Sequence, residues 1–302
     1  MNDAVGIVGL GQMGTPIARH LLEAGFPVVG YDLDPVRAGD LVAAGGRSCG
    51  SPREVAGEAS TVITSLPSAD ALRAVLRGRD GLLAARPRQP LVIVETSTLA
   101  LDDKQSARHD AETAGATLLD CPLSGTAAQA HAKDIVVYAS GDAAAVEACG
   151  PVFTAFARSY HHLGPFGAGS QMKIIANLLV AIHNVAAAEA FVLAAKAGID
   201  RSSLYEVIAD GAGTSRMFEA RGPSMVAGAY DQPGVTGRVF HKDLQIIADF
   251  ARTHDCPTPL FSATVPVYLA SLAHGFGDRD IAAVCAVLEQ LASVERPPGG
   301  RP

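Results

Sequence analysis

The sequence predicts a doubly wound α/β domain followed by an all-α domain with one long helix. Three observations favour this order. A glycine-rich turn links the first apolar run to the first helical pattern, and short apolar runs then alternate with helical patterns over the first half of the chain. Strand patterns end at the glycine- and proline-rich segment 163–169. Since 302 residues are long for one domain, we expect domains of residues 1–165 and 166–302.

The first strand and the first helix flank a turn with a cofactor-binding pattern. Residues 4–9 form an apolar run, and apolar side chains recur at helical spacing from Met13 to Leu22. The turn between them consists of Gly9, Leu10, Gly11, Gln12, Met13 and Gly14. In such a turn the first glycine permits a tight bend, the second lets a pyrophosphate approach, and the third lets the helix pack on the strand. The helix N-terminus then offers N–H groups to the phosphates, so we expect a bound dinucleotide.

A carboxylate at the end of the second strand indicates which dinucleotide binds. The apolar run 27–31 ends at Asp32. A carboxylate there accepts hydrogen bonds from the ribose hydroxyls of an adenosine and repels a 2′-phosphate. Positions 32–36 contain no arginine or lysine to receive such a phosphate. The sequence therefore favours NAD over NADP.

The other elements of the first domain follow in alternation. Further strands are expected at 61–66, 91–95, 116–120 and 134–139. Helices are expected at 12–24, 35–44, 68–77, 99–114 and 142–155. Alternation of this kind builds a parallel sheet with helices on both faces.

The second domain is predicted to be helical throughout. Residues 170–197 form one apolar pattern, roughly 40 Å long at 1.5 Å per residue. Further helices are expected at 201–211, 241–253, 258–274 and 280–293. The rest of the domain is too small to surround so apolar a helix, so we expect a second subunit to cover part of it. The apolar residues in question are Ile174, Ile175, Leu178, Leu179, Ile182 and Val185, and the prediction is a homo-oligomer, a dimer or tetramer.

Composition argues against several classes of partner. The net charge is −7, whereas nucleic-acid binding needs clustered lysine and arginine, so no nucleic-acid partner is expected. No uninterrupted apolar run reaches about 18 residues and no signal-peptide pattern is seen, which predicts a cytoplasmic protein without a membrane partner. Five scattered cysteines without CxxC spacing fit reduced thiols. The nine histidines show no metal-ligand spacing, and no metal is expected.

Lys173 is the main catalytic candidate among the residues themselves. It lies in an apolar helical stretch, with Asn177 one turn further along the same helix face. A lysine at a helix start commonly extends its amine to solvent along its apolar stem. Alternatively, burial would lower the pKa of the amine toward the range useful for general acid/base catalysis. The spacing alone leaves both interpretations open.

A second candidate segment follows the strand at 116–120. Ser124 and the successive backbone N–H groups of Gly125 and Thr126 would form an anion-binding nest for a carboxylate. The carboxyl edge of a doubly wound sheet is where such folds bind ligands. An ordinary turn explains the same residues equally well. Cys121 has no evident base beside it and is interpreted as a small buried thiol.

Two further polar segments carry weaker signals. Thr98 belongs to the segment 95–98 that ends a strand, and Lys242 and Asp243 begin a helix as a paired cation and anion. Taken separately, the first segment fits a helix cap and the second a surface ion pair.

Taken together, these segments resemble the signatures of the β-hydroxyacid dehydrogenase family, which includes 3-hydroxyisobutyrate dehydrogenase and tartronate semialdehyde reductase. The matching segments are GLGQMG, ETST, DCPLSGTAAQA, GAGSQMKIIAN, KDL and the C-terminal GFGDRDIAAV. The resemblance covers essentially the whole chain. It implies a Rossmann domain, a helical domain through which subunits associate, and hydride transfer between NAD and a small 3-hydroxy acid such as 3-hydroxyisobutyrate, glycerate or threonate.

The resemblance also implies roles for individual residues. Lys173 would be the general acid/base that takes the hydroxyl proton. Asn177 would hold the lysine or the substrate, and Ser124 and Gly125 would bind the substrate carboxylate. Residues expected along the cofactor are Leu66, Pro67, Thr98 and Lys242, and residues expected near the substrate also include Thr126, Lys242 and Asp243.

The chain departs from the family pattern in its substrate loop. That loop usually ends in Ser-Gly-Gly, whereas this chain has Thr126 in place of the second glycine and Cys121 in place of an alanine. The added methyl and hydroxyl groups of Thr126 predict a pocket of different size or polarity. Few arginines or lysines stand in these loops, which favours an unphosphorylated acid of about three to five carbons, since phosphate recognition prefers forked donors.

Two alternative functions share this architecture. One is an imine reductase, and such enzymes generally carry Asp or Tyr at the position of Lys173. The other is a non-catalytic dinucleotide-binding scaffold, which commonly arises by loss of the lysine. The presence of Lys173 favours a dehydrogenase acting on a CH–OH group over both alternatives.

Overall fold

The computed structural model describes residues 3–85 and 90–296. The chain forms two compact units that divide after Lys173. The division falls a few residues beyond the boundary expected at residue 165, within the first turns of the long helix.

The first unit is built around a six-stranded sheet whose paired strands are all parallel. Its strands are β1 (Val5–Val8), β2 (Val28–Tyr31), β3 (Arg47–Ser48), β4 (Thr61–Thr64), β5 (Val92–Glu95) and β6 (Thr117–Asp120). The order across the sheet is β3-β2-β1-β4-β5-β6. Successive strands are therefore added on one side of β1 as far as β3 and on its other side from β4 onward, and the switch point lies between β1 and β4. Ligands of doubly wound folds bind outside the carboxyl ends of the strands at this point. The predicted Rossmann-like architecture is confirmed.

A second, smaller sheet follows the parallel one. It contains β7 (Leu123–Ser124), β8 (Val136–Ala139) and β9 (Ser159–His162). The central strand β8 pairs antiparallel with β7 and parallel with β9. The strand expected at 134–139 therefore forms as β8, but its expected place in the parallel sheet is wrong. β7 has two residues and β9 is largely polar, so neither gives a hydrophobic pattern that would predict this sheet.

In the described part of the first unit, eight α-helices precede the long one. They are α1 (Gly14–Glu23), α2 (Pro35–Ala43), α3 (Pro52–Glu58), α4 (Ala69–Arg77), α5 (Leu101–Thr113), α6 (Ala127–His131), α7 (Ala143–Ala148) and α8 (Gly150–Phe156). The single helix expected at 142–155 is two helices, because Pro151 lacks an N–H and stands at the start of the second. The short helices α3 and α6 were not expected from their apolar spacing, and each begins at a side-chain cap, Ser51 and Thr126.

The long helix α9 (Ala168–Lys196) starts in the first unit and continues into the second. The second unit also contains α10 (Arg201–Ala209), α11 (Arg216–Ala227), α12 (Gly237–Thr253), α13 (Pro259–Ala273) and α14 (Val284–Leu291). Helix α11 contains Gly222 and Pro223, which explains why its sequence does not predict a helix. Helix α12 starts earlier than the expected residue 241, since Thr236 caps it by accepting a hydrogen bond from the backbone of Val239 (3.3 Å).

Part of α9 lies in a hydrophobic core. Ala181, Ala188 and Phe191 are fully buried in the core of the second unit. Within the described residues α9 is also the one helix whose length and composition would suffice to cross a membrane, a test that the core helix of a soluble protein passes equally. Of the six apolar residues expected to need a partner subunit, Ile174 and Val185 are buried inside this chain, whereas Ile175 and Leu179 are 48% and 47% exposed.

Candidate functional site

The glycine turn between β1 and α1 has the shape that a dinucleotide requires. Gly9 has a φ of +94°, and a Cβ there would overlap the carbonyl oxygen of Ser65. A Cβ at Gly14 would overlap the carbonyl of Gly9, so the helix packs closely on the strand. A Cβ at Gly11 would instead meet only the end of the Arg37 side chain, at 3.7 Å. The surface above Gly11 is therefore open where the pyrophosphate would lie.

The Asp32 carboxylate is fixed at the end of β2. Its two oxygens accept hydrogen bonds from the backbone N–H groups of Leu10 (2.7 Å) and Asp34 (2.8 Å). The Arg37 guanidinium lies 3.7 Å from the same carboxylate and 3.5 Å from that of Asp34. Arg37 lies one position beyond 32–36, and the first turn of α2 brings its side chain back toward Asp32, a contact that the sequence pattern alone does not indicate.

The loop after β4 contains Leu66 and Pro67 and is held from the neighbouring strand end. The backbone N–H of Leu66 donates to the hydroxyl of Ser97 (2.8 Å), and the N–H of Ser97 donates to the Glu95 carboxylate (2.9 Å). The segment 95–98 is therefore more than a helix cap. Its buried members fix the loop expected to lie along the cofactor, and partly buried Thr98 follows directly.

Ser124 and Gly125 lie between β6 and α6. Ser124 ends β7, and Gly125 has a φ of +142° with the site of a Cβ only 2.6 Å from Ile135. Thr126 is the N-cap of α6, where its hydroxyl accepts from the N–H of Gln129 (3.3 Å) and its own N–H donates to the Gln129 side chain (3.0 Å). In this structure the Thr126 N–H, one of the two amides of the expected nest, donates to the Gln129 side chain as part of this capping box.

Cys121 is fully buried beside the strand end. Burial raises the pKa of its thiol well above the usual value, and the nearby Asp120 raises it further. A thiol in this state is a poor nucleophile, since the thiolate is the reactive form. The interpretation of Cys121 as a packing residue agrees with this environment, and all five cysteines lie among the described residues with free thiols.

The first turn of α9 is anchored to the carboxyl end of β6. The backbone N–H and the hydroxyl of Ser170 both donate to the Asp120 carboxylate, each at 2.7 Å. The N–H of Gly169 donates to the hydroxyl of Ser140 (2.9 Å), which itself donates to the Asp120 carbonyl (3.0 Å). Partly buried Lys173 follows Ser170 at the i+3 position, on the same side of the helix.

The sequence interpretation missed a buried lysine behind this anchor. The Lys104 ammonium, with no exposed surface, lies 2.7 Å from both the Glu95 and the Asp120 carboxylates. Burial alone would lower the pKa of Lys104, but the two carboxylates outweigh it and raise that pKa above the usual value. The sequence does contain a sign that Lys104 is buried, because Lys104 shares one face of α5 with Ala107 and Ala111 at helical spacing.

In the second unit the structure brings together three of the expected site residues. The Asn177 amide on α9 donates to the Asp243 carboxylate on α12 (3.0 Å), and both side chains are largely buried. The side chain of neighbouring Lys242 is 39% exposed, and its amine lies 3.8 Å from the other Asp243 oxygen. The Lys242–Asp243 pair is thus tied to the α9 helix through Asn177. Among residues 3–85 and 90–296, no three His, Cys, Asp or Glu side chains converge as a metal site.

The glycine turn, the Asp32 carboxylate and the doubly wound sheet define a dinucleotide-binding protein. Two family models match the chain: the NAD binding domain of 6-phosphogluconate dehydrogenase over residues 4–164, and the NAD-binding domain of NADP-dependent 3-hydroxyisobutyrate dehydrogenase over residues 167–288. The chain is 37% identical to L-threonate dehydrogenase of Cupriavidus necator over 288 residues, covering 95% of this chain and 96% of the relative.

Further similarities extend over the same length. NAD-dependent L-serine dehydrogenase of Pseudomonas aeruginosa is 32% identical, over 93% of this chain and 96% of the relative. The crystal structure of 3-hydroxyisobutyrate dehydrogenase from Salmonella typhimurium has a TM-score of 0.86 at 36% identity, covering 95% of this chain and all of the other. The chain belongs to the β-hydroxyacid dehydrogenase family.

Proposed function

We propose that this protein transfers a hydride between NAD and a small, unphosphorylated 3-hydroxy acid, with Lys173 as the general acid/base. The observation that carries the proposal is the anchoring of Ser170 to Asp120. It holds the turn that contains Lys173 at the carboxyl end of β6, at the sheet edge where this fold binds its ligands. The relatives named for threonate, serine and 3-hydroxyisobutyrate support the hydroxy-acid class.

Lys173 performs the proton transfer in this proposal. NAD, when bound over the glycine turn, supplies the hydride acceptor. In the oxidation direction the neutral amine of Lys173 accepts the hydroxyl proton while the carbinol C–H bond breaks. In the reduction direction the ammonium returns that proton to the carbonyl oxygen. A lysine suits both directions, because its amine can exist with or without the proton, whereas an arginine stays protonated in proteins.

The substrate carboxylate and the lysine are held by separate groups. We assign the carboxylate to Ser124 and Gly125, the two members of the loop that the Thr126 capping box leaves to this role. Thr126 then acts through loop shape rather than by direct contact with the substrate. Asn177, Lys242 and Asp243 complete the proposed substrate-binding set, and Leu66, Pro67, Thr98 and Lys242 the cofactor set.

A screen of small acids tests the proposed function. The purified protein is mixed with NAD and, in separate reactions, 3-hydroxyisobutyrate, glycerate, threonate and serine, and NADH absorbance is followed. We expect at least one acid to be oxidised. Reduction of a cyclic imine with no turnover of any acid would favour an imine reductase, and no turnover of either class would favour a non-catalytic scaffold.

The preference for NAD is tested by removing the Asp32 carboxylate. Asp32→Asn removes the carboxylate from the ribose position and leaves Arg37 beside it, paired with the Asp34 carboxylate alone, so a 2′-phosphate would no longer meet the anion of residue 32. We expect the ratio of kcat/KM for NADP to that for NAD to rise at least about tenfold, because a close charge pair at a protein surface is worth about 4 kcal/mol before screening. Asp40→Asn on the exposed face of α2 changes the net charge equally and should leave the ratio unchanged. An unaltered ratio in Asp32→Asn would contradict the assignment.

We also propose that the protein is a cytoplasmic homo-oligomer. Met172, Ile175 and Leu179 share one side of α9 and are each more than 40% exposed, a larger apolar stripe than a solvated helix normally carries. Multi-angle light scattering should give a mass at least twice the 31.0 kDa of one chain. A mass of one chain at micromolar concentration would rule this proposal out. If the mass is that of an oligomer, Leu179→Glu should lower it, whereas the control Val36→Glu at an exposed position of α2 should leave it unchanged.

A further inference from the structure

The cofactor loop and the start of α9 are joined by one continuous buried network. The network runs from the Leu66 N–H to Ser97, from Ser97 to Glu95, and from Glu95 through Lys104 to Asp120. It ends where Asp120 accepts two hydrogen bonds from Ser170. Every contact along it is between 2.7 and 2.9 Å, and Glu95, Lys104 and Asp120 have no exposed surface.

The charged cluster of Glu95, Lys104 and Asp120 is better explained by the geometry that it imposes on the strand ends than by a gain in stability. Burying a carboxylate or an ammonium is costly, and apolar side chains of similar volume would fill the space at least as stably. Hydrogen bonds between charged groups, however, are short and accept a narrow range of geometry. The Lys104 ammonium donates a hydrogen bond to Asp120 and forms an ion pair with Glu95, and Asp120 accepts from Ser170 with both oxygens, so a shift of either strand end would disturb a contact.

The close approach of α9 to the sheet also restricts the position of the helix start. A Cβ at Gly169 would overlap the carbonyl of Tyr138 and lie 2.8 Å from that of Asp120. The helix start therefore rests directly on the backbone of the strand ends. Lys173 lies one turn beyond Ser170, so its backbone position is set by this contact and by the Asp120 carboxylate.

We propose that the buried cluster of Glu95, Lys104 and Asp120 is a positioning device that places the amine of Lys173, through Ser170, in register with the cofactor loop at Leu66. This inference rests on the proposed function, in which Lys173 moves the substrate proton. The cluster touches neither substrate nor cofactor in this account. It acts by fixing the two elements between which the reacting atoms must lie, and small displacements there have large effects on rate.

The variant that isolates the device is Ser170→Ala. It removes the hydroxyl bond to Asp120 but keeps the backbone N–H bond, so the helix start stays attached with more freedom. We expect kcat for the best hydroxy acid to fall about tenfold, the effect of one lost hydrogen bond to a charged group. KM for NAD should stay within about twofold, because the cofactor site is untouched. The pH midpoint of the kcat profile should shift, since the surroundings of Lys173 change.

Two matched variants separate positioning from simple loss of stability. Ser170→Thr restores the hydroxyl and should recover most of kcat and the original pH profile. Ser271→Ala removes another buried helical serine hydroxyl, on α13, and should change neither quantity. A wild-type kcat and pH profile in Ser170→Ala, or no recovery in Ser170→Thr, would overturn the inference.

A second readout does not depend on turnover. The rate of acetylation of Lys173 by acetic anhydride, followed across pH by peptide mass spectrometry, reports the state of its amine directly. We expect the pH midpoint of this reaction to differ between wild type and Ser170→Ala and to be restored in Ser170→Thr. Identical profiles overturn the inference even if no acid is turned over. Turnover that survives Lys173→Ala overturns the acid/base assignment instead, so the two failures are distinguishable.

Discussion

Replacing Lys173 with alanine should lower the turnover of a hydroxy acid about a hundredfold or more, the usual effect of losing a general acid/base. Binding of NAD should be unchanged, because it depends on the glycine turn between β1 and α1 and on Asp32 after β2. Steady-state assay of NADH formation gives the first quantity, and quenching of NADH fluorescence during titration gives the second.

Lys173→Arg is the most informative companion variant. It keeps the positive charge but cannot release a proton near neutral pH, so it should be nearly as inactive as the alanine variant. Lys196→Ala removes an exposed lysine from the last turn of the same helix and should retain full activity. Small primary amines added to Lys173→Ala should restore part of the rate. An arginine variant with wild-type turnover would mean that the lysine supplies charge alone.

Replacing Lys104 with methionine should lower the free energy of unfolding by about 3–5 kcal/mol, the range for removing one partner of a buried ion pair. The Glu95 and Asp120 carboxylates would remain in the core without their cation. Urea denaturation at neutral pH measures the loss as a shift of the midpoint by about 1 M or more. The raised pKa of Lys104 means that its stabilising charge is fully present at neutral pH and is lost only as the pH rises through that value.

Two comparisons identify the cause of this loss. Lys196→Met removes an exposed lysine and should change the free energy of unfolding by less than about 0.5 kcal/mol. Adding Glu95→Gln and Asp120→Asn to Lys104→Met removes the uncompensated charges and should recover part of the stability. Lowering the pH to about 5 should narrow the deficit of the single variant, because a protonated carboxyl is cheaper to bury than a carboxylate. A midpoint for Lys104→Met equal to that of Lys196→Met would contradict the account.

The sequence predicts those parts of the molecule that depend on neighbours in the chain. The glycine turn after β1 and the acid at the end of β2 are local patterns with fixed spacing, and both lie as expected. The long apolar helix is predicted for the same reason, since its composition leaves few alternatives. Helix α11 was missed because Gly222 and Pro223 interrupt the pattern that its buried residues would otherwise show.

The candidate site is predicted less completely, because its support comes from distant parts of the chain. Lys104 lies in a polar helix, and nothing local shows that two strand ends will surround it with carboxylates. Asn177 and Asp243 are far apart in sequence, and only the packing of α9 on α12 joins them. Thr126, in contrast, has its structural partner nearby in the sequence. Thr126 and Gln129, three residues later, form a capping-box pattern, which accounts for a threonine at this position as the N-cap of α6.

The most direct test of the central claim follows the hydrogen itself. The acid that turns over fastest is prepared with deuterium on its carbinol carbon and incubated with the protein and NAD, and the NADH formed is analysed by mass spectrometry. We predict NADH that carries one deuterium in the wild type, and little or none formed by Lys173→Ala in the same time. Unlabelled NADH, or labelled NADH formed equally fast by Lys173→Ala, would contradict a lysine-assisted hydride transfer from a hydroxy acid.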